Sequence, residues 1–488
     1  MKIANRPLLA ALLGCASLAP AGQAFAEEQA APYPHKADGD GTVRGSYATT
    51  RWAEDWSGVQ KRKDDRDPLD HLKYLPLDDN GDVYVTLSGE LRLRTNYTSN
   101  PGLVKGEHQR QDIVRVVGAA DVHLGDHVRL YGEFAHASSS GHNIGTPTTS
   151  QDNDLVVQQA FAEVTGIIGG LDMGLRYGRQ EFFDGSRMLV SQRDNNAIPY
   201  TLNGIRGWVR GRGVRLDAFD LEPTAYGRGG AGDDRPNTAR RFSGVTLGTV
   251  VPETLTGASG LYVDPFFWRL RRRDARWVGS EGREERYYLG AHAWGRLGDV
   301  AIDWTVNRQF GDYDGRDIDA WQVFLDQTMP VGSGKAAPRV GFSFDYASGG
   351  GGNESGAGAG ALRNAISPHG ANTPFSHHLF LTATNLVEVA PVVSLEPVFN
   401  VRVLAEYAFA WRADTSDAIY RANGAPLART VDSTAIKTAE LPRVQVQWAI
   451  SPRVSITARY EHVFAGPALR QAGYGDSDFL ATWLSMRF

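Results

Sequence analysis

The sequence predicts an all-β fold, a transmembrane antiparallel β-barrel of about eighteen strands behind a polar N-terminal extension. Three observations point there. From Asp82 onward, short segments alternate apolar and polar residues. Tight turns and longer polar loops alternate between those segments. The last segment, SDFLATWLSMRF, stops on the aromatic Phe488, which suits a terminal strand handed to the outer-membrane barrel assembly machinery.

Residues 1–26 read as an export signal. Lys2 and Arg6 precede a weakly apolar stretch, and Ala24-Phe25-Ala26 fits an A-x-A cleavage site. The only cysteine, Cys15, lies inside this signal, where LLGC loosely resembles a lipoprotein box; the A-x-A site fits better. A mature chain without thiols excludes disulfides and Cys-based metal sites or nucleophiles. Residues 27–81 are rich in Pro, Gly and charge and form a polar extension or a segment folded into the lumen. The barrel occupies 82–488.

No later stretch reaches the ~18 apolar residues of a membrane helix. Hydrophobic residues are only 42% of the chain, which suits a barrel because only alternate residues face lipid. The 18 Tyr, 20 Phe and 11 Trp are enough for aromatic girdles at both interfaces.

The expected strands are 82–97, 111–125, 127–138, 154–166, 170–182, 203–211, 213–222, 240–250, 260–272, 285–297, 299–311, 317–330, 337–348, 380–396, 399–413, 437–449, 452–464 and 476–488. The first shows the logic. Val83, Val85, Leu87, Leu91 and Leu93 share one face, and Thr86, Ser88, Glu90, Arg92 and Arg94 the other. Connections such as Gly125-Asp126, Gly169-Gly170 and Ile450-Ser451-Pro452 are tight, whereas 139–153, 183–202, 223–239, 349–376 and 414–436 are long. The stretch GGGGNESGAGAG at 349–360 reads as a mobile external loop tip. A soluble multi-domain β protein would explain the alternation but not the pattern of connection lengths.

The chain resembles the alginate export family of outer-membrane porins. The resemblance is carried by RWAEDWSGVQKRKDDRDPLDHLKYLPL before the strand SGELRLR, by LRYGRQEF at 175–182, by MLVSQRDNNAIPYTLNGIR after it, and by DYASGGG at 345–351 and EYAFAWRAD at 406–414. It implies an eighteen-stranded monomeric barrel whose arginine-rich constriction passes a polyanionic polysaccharide. Two features depart from the pattern. Gln158 stands where an arginine would align. The long plugging loop of the best-known member is replaced by the turn at 450–452, which makes residues 27–80 the candidate plug.

An anion pore needs fixed positive charge facing a wet lumen. The net charge is −5, yet the 51 basic residues are overwhelmingly arginine. A GC-rich genome is the bland reading; guanidinium forks for carboxylates are the functional one. On the polar strand faces lie Arg92, Arg94, Arg115, Arg129, Arg176, Arg206, Arg210, Arg402, Arg443 and Arg459. The resemblance adds Arg179 and Arg412, with Gly178 as a bulge that would re-aim Arg179. Against this stands pairing with Glu90, Asp121, Glu133, Asp217, Asp303 and Asp345, which would make a ladder without selectivity. Tyr131, Phe219 and Trp208 are candidate sugar-stacking aromatics, although pore aromatics more often pack.

Neither a G-x-S-x-G elbow nor H-E-x-x-H occurs, His136 to His142 reads as loop punctuation, and DDNGD at 78–82 reads as a turn. No enzyme, metal or cofactor is expected, and the negative balance gives no support to nucleic-acid binding. The expected partners are outer-membrane lipid and lipopolysaccharide, and an acidic polysaccharide or small anion as substrate. A diffusion porin for small organic anions or other nutrients is the alternative reading; a barrel enzyme is a third.

Overall fold

A computed structural model of the chain describes residues 33, 43–44, 47–59, 68–256, 260–277, 280–332, 334, 336–354 and 359–488. The expected export signal, with Cys15, lies outside the described residues.

Eighteen strands close into one antiparallel barrel. They are β1 Val83–Ser99, β2 His108–Leu124, β3 Val128–His142, β4 Asn153–Ile168, β5 Leu171–Gln180, β6 Leu202–Gly211, β7 Val214–Ala225, β8 Arg240–Val250 and β9 Leu261–Trp277. Then follow β10 Ser280–Leu297, β11 Val300–Tyr313, β12 Arg316–Pro330, β13 Arg339–Ala347, β14 Leu386–Val398, β15 Val401–Trp411, β16 Lys437–Ala449, β17 Val454–Ala465 and β18 Ser477–Arg487. Closure is made by β18 against β1, with Trp483 opposite Arg94 and Ser485 opposite Arg92. Full closure leaves no strand edge unpaired, which is what allows a sheet to cross lipid.

Each expected strand is present, with ends displaced by a few residues. The β9–β10 hairpin is longer than expected at both strand ends, where 273–284 read as a loop. Arg272 pairs with Glu284, and Arg276 with Glu281, across the two strands. These ion pairs prolong the ladder as far as Trp277 opposite Ser280. The β11–β12 connection is equally short, at 314–315. Strict alternation of short and long connections therefore fails on this side of the barrel.

Strand periodicity sorts the residues as expected. In β2, Arg115, Val117, Ala119 and Asp121 are buried inside, while Val116 is exposed outside. Leu93, Leu130, Val164, Leu175 and Leu289 are likewise exposed, and supply the lipid-facing belt.

The lumen is not an open tube. Loops 181–201 and 348–385 fold inward and pair with each other through a parallel bridge between Val190 and His369. The His369 amide donates to Leu189 O at 3.0 Å and the Ala371 amide to Arg187 O at 2.9 Å. Their apolar side chains, among them Phe182, Met188, Leu189, Phe375 and Phe380, pack on Phe219, Phe242, Phe266, Trp268 and Phe324 of the wall. This apolar core inside the barrel anchors both loops against the side built by β7 to β17.

Of the stretch expected as an external tip, Gly349 to Gly352 are buried, while Glu354 and Gly360 are exposed. Gly349 to Gly352 lie against loop 412–436, and the Gly350 amide donates to Asp417 Oδ2 at 2.8 Å. A Cβ on Gly352 would stand 2.4 Å from the Tyr420 hydroxyl, so the glycines serve close packing. The expected β14 start at 380 fails because 380–385 belong to this infolded loop.

Arg412 also has a different job from pore lining. Fully buried beyond the end of β15, it donates to Thr415 O, Asp417 O and Thr430 O at 3.0 Å each, to Ser433 O at 2.7 Å, and to Ala435 O. One guanidinium thus gathers the carbonyls that loop 412–436 would otherwise bury unsatisfied. Arg412→Ala should cost on the order of 3 kcal/mol of local stability. Limited proteolysis should then cut within 412–436 while the barrel keeps its heat-modifiable gel mobility; an uncut loop would show that the carbonyls are satisfied otherwise.

Candidate functional site

With the infolded loops on one wall, the remaining space lies eccentrically, against β1, β2, β17 and β18. Two adjoining clefts share Arg92, Arg94, Asn195, Asn196 and Leu379, with volumes of about 220 and 390 Å³. The smaller reaches Gln111, Arg115, His377 and His378. The larger is bounded by Arg187, Arg193, Arg459, Trp483, Asn372 and Asn423.

The arginines here fall into two groups. Arg92 and Arg115 are neutralised. Arg92 reaches Glu90 at 3.0 Å and Asp194 at 2.9 Å, and Arg115 reaches the same carboxylates at 2.6 and 2.9 Å. Burial opposes the charge on Asp194, but Arg115 and Arg92 overcome it and hold that carboxyl below its ordinary range.

Arg94 and Arg459 have only neutral partners. Arg94 donates to Asn96 Oδ1 at 2.6 Å and Asn195 O at 2.7 Å; Arg459 donates to Gln445 Oε1 at 2.5 Å. Both also reach Asn195 Oδ1, at 3.1 and 3.2 Å. Their guanidiniums stand 5.1 and 5.0 Å from the centre of the Trp483 ring. Arg193 donates to Gly370 O at 2.9 Å and lies over Tyr200. Arg187 makes no side-chain hydrogen bond or ion pair among the described residues. Four guanidiniums with no ion pair at contact distance among the described residues therefore meet around one cleft, with Asp194 in its lining and Asp326 in Coulombic reach of Arg187. His377 adds no charge, because burial pushes its imidazole down to about 3 against the pull of Glu461.

The loop that carries the histidines is clamped to the wall. Glu461 accepts from Ser376 Oγ at 2.7 Å, the His377 amide at 2.7 Å and His378 Nδ1 at 2.6 Å. Gln158 does similar work for the other loop, donating to Pro199 O at 3.0 Å.

The other expected site residues lie elsewhere. Arg129 pairs with Asp121, Arg176 with Glu163 and Arg206 with Asp217 in ladders near the short-turn end. Arg210 lies 3.8 Å from Asp172 and lines a separate cleft there with Trp208. Arg443 is buried between Glu388 and Glu406. Arg402 is exposed beside the 399–400 turn, away from the cleft. Arg179 does not enter the lumen. Gly178 has φ +136° but the β5 register runs unbroken through it. Arg179 therefore keeps the outward parity of Tyr177 and is held by Asn203 at 3.0 Å and Asp234 at 3.5 Å. Tyr131 packs with Trp52 and Phe161, and Phe219 belongs to the lumenal core.

Sequence reasoning missed Arg187, Arg193 and Trp483. Trp483 was visible as an inward position of the last strand; the loop arginines carried no periodic signal.

The N-terminal segment enters the short-turn end. Arg51, buried, bridges Glu90 at 3.0 Å and Glu133 at 2.8 Å. The Trp52 indole donates to Glu181 Oε2 at 2.9 Å, and Arg176 stacks on its ring at 4.3 Å. Lys73 reaches Glu54 at 3.2 Å and the Ser88 hydroxyl at 2.7 Å.

The sequence model for alginate export matches residues 83–482. The chain belongs to the alginate export family. A search of curated proteins returns no significant match. Among solved structures, Pseudomonas aeruginosa OccK2 (OpdF) in complex with glucuronate is similar, with a TM-score of 0.55 at 10% identity, over 83% of this chain and 98% of that one. The outer membrane protein OpdK of P. aeruginosa gives 0.52 at 12% identity, over 82% and 98%. A BenF-like porin from Pseudomonas fluorescens Pf-5 gives 0.50 at 10% identity, over 83% and 99%. At such identities the likeness is one of fold. Family and fold together make this protein an outer-membrane channel, and the short turns then face the periplasm.

Burial, helped by neighbouring Glu133, pushes the Glu181 carboxyl up to about 8. The docked state thus holds a proton that a released segment would lose, so docking is favoured at low pH and weakens as pH rises toward and through that value. Hydrogen exchange in residues 47–59 should therefore quicken between about pH 5 and pH 8.5 beyond its intrinsic trend. In Glu181→Gln that excess should vanish; its persistence would acquit Glu181.

Proposed function

We propose that this channel is anion-selective and passes an acidic polysaccharide, an alginate-like polyuronate, along the cleft lined by Arg94, Arg187, Arg193 and Arg459. One observation carries the reading: these four guanidiniums share a cleft of about 390 Å³ with amide side chains, Trp483 and the already paired Asp194, and none makes an ion pair at contact distance among the described residues. Guanidinium forks match carboxylates in geometry and charge. A moving polymer must also leave each point it binds. Arg94 and Arg459 already share Asn195, so a uronate would exchange with a neutral amide and return it on departure. Trp483, with both guanidiniums over its ring, holds the two cations beside each other.

Reversal potentials across a planar bilayer under a salt gradient test this. The purified protein should favour anions, and Arg94→Gln/Arg459→Gln should lower the anion-to-cation permeability ratio roughly threefold or more. Oligouronates should block the current of the parent protein and block the variant less. A cation-selective or unselective parent pore would overturn the proposal.

The cleft volumes favour a second reading, a porin for single organic anions, because about 220 and 390 Å³ suit one or two rings. The similar OccK2 and OpdK barrels were solved with glucuronate and with vanillate. Block that strengthens with oligouronate length supports the polymer; block equally strong by monomer supports the porin.

The described N-terminal segment is the plug in this reading, in place of a long turn between β16 and β17. Arg51→Glu would set a third carboxylate against Glu90 and Glu133 and expel the segment. Single-channel conductance should then rise; an unchanged conductance would show that the segment does not obstruct flow.

A further inference from the structure

The outer surface of the barrel carries a second arginine cluster, on the opposite face of the wall from the cleft. On β10 the outward positions from Leu297 through Ala293, Ala291 and Leu289 to Tyr287 are uncharged. That run, 287–297, matches the ~9–11 residues a tilted strand needs to cross the hydrocarbon core. Its upper end is marked by stacked outward rings, Phe267 on Tyr287 at 5.8 Å and Tyr287 on Phe310 at 5.6 Å. An aromatic girdle of this kind sits at the level of lipid headgroups.

Immediately above it, on the loop side, β8 to β10 turn outward Arg241, Arg269, Arg271, Arg273 and Arg283. Two are occupied: Arg241 pairs with Asp220, and Arg269 with Glu285 at 2.7 Å. Arg271, Arg273 and Arg283 have no hydrogen-bonded or ionic side-chain partner among the described residues, and all three line one concavity of about 560 Å³. Four carboxylates share its lining: Glu284 and Glu285 are taken up by Arg272 and Arg269, Asp312 accepts the Gly315 amide at 3.2 Å, and Glu222 lies at the rim. In the β8–β9 ladder Arg241 stands directly opposite Arg271. Asp220 neutralises Arg241 in that pair, and the Arg271 charge is left facing outward.

We propose that this concavity binds the phosphates of lipopolysaccharide in the external leaflet. The height on the wall selects the partner. A phosphorylated glycolipid lays its acyl chains along the apolar belt below the girdle and its headgroup phosphates against Arg271, Arg273 and Arg283. Clustered basic residues at a membrane surface bind anionic headgroups in this manner, and guanidinium forks chelate phosphate. Prolonging β9 and β10 past the belt by the Arg272–Glu284 and Arg276–Glu281 pairs is what lifts the cluster to headgroup level.

The test uses the full chain in detergent micelles, with bis-phosphorylated lipopolysaccharide as probe and native mass spectrometry or fluorescence titration as readout. Arg271→Gln/Arg273→Gln/Arg283→Gln should bind it about tenfold more weakly or worse, with gel mobility and ion selectivity intact. On the parent protein, which needs no variant, enzymatic removal of the lipid phosphates should cause a comparable loss, and equimolar inorganic phosphate should not displace the intact lipid. Equal binding by parent and variant, or of phosphorylated and dephosphorylated lipid, would overturn the proposal. So would displacement by inorganic phosphate, which would make the site one for free phosphate, or by an oligouronate, which would make it an outer station for polymer. Selectivity measurements on the lumenal arginines leave this site untouched, so the two readings fail separately.

Discussion

Glu90 lies buried on the inner wall of β1 and is the point at which three parts of the chain meet. Its carboxylate faces Arg51 of the N-terminal segment, Arg92 and Arg115 of the wall, and Arg487 near the closing seam at 3.6 Å. A carboxylate taken from water at this depth is tolerable only with charged partners on all sides. Removing it would leave several buried cations uncompensated. Through Arg92 and Arg115 it also fixes Asp194, and with it the loop tip that presents Asn195 to Arg94 and Arg459. The position of the cationic cleft therefore follows from the neutralisation of the network beside it.

This division of arginines explains how a chain of net charge −5 can hold a positive lumenal patch. Most lumenal guanidiniums serve the wall: Arg129, Arg176, Arg206 and Arg443 each close an ion pair in a wet but crowded interior. Such pairs give rigidity and little external field. Around Asn195, Arg94 and Arg459 meet amides and carbonyls instead.

Much of this was legible in the sequence, and the limits have physical causes. Eighteen strands could be read because a barrel wall enforces period two over most of its length. Parity placed Arg94 and Arg459 inside correctly. What parity cannot show is the partner across the lumen. Arg92 and Arg94 share a face and a spacing, yet Asp194, a hundred residues away in an aperiodic loop, neutralises one and leaves the other. Arg187 and Arg193 sit in that same loop and have no pattern to reveal them. Arg412 and Arg179 were carried by motif likeness alone. One lies beyond the end of its strand and the other has outward parity, so neither points to the lumen. The stretch 349–360 looked like a flexible tip because composition cannot distinguish glycine used for freedom from glycine used, as at 349–352, for close approach.

The bridge between Val190 and His369 has a mechanical consequence. Loops 181–201 and 348–385 share backbone hydrogen bonds and one apolar core, so they are displaced as one body or hardly at all. Arg94 and Arg459 belong to the rigid wall, whereas Arg187 and Arg193 ride on that body. Any movement that widens the passage also draws two of the four charges away from the other two. In the anion channel proposed above, aperture and discrimination are geared against each other: at its widest it would also be at its least choosy, and a large cargo would cross with weaker electrostatic guidance than a small one.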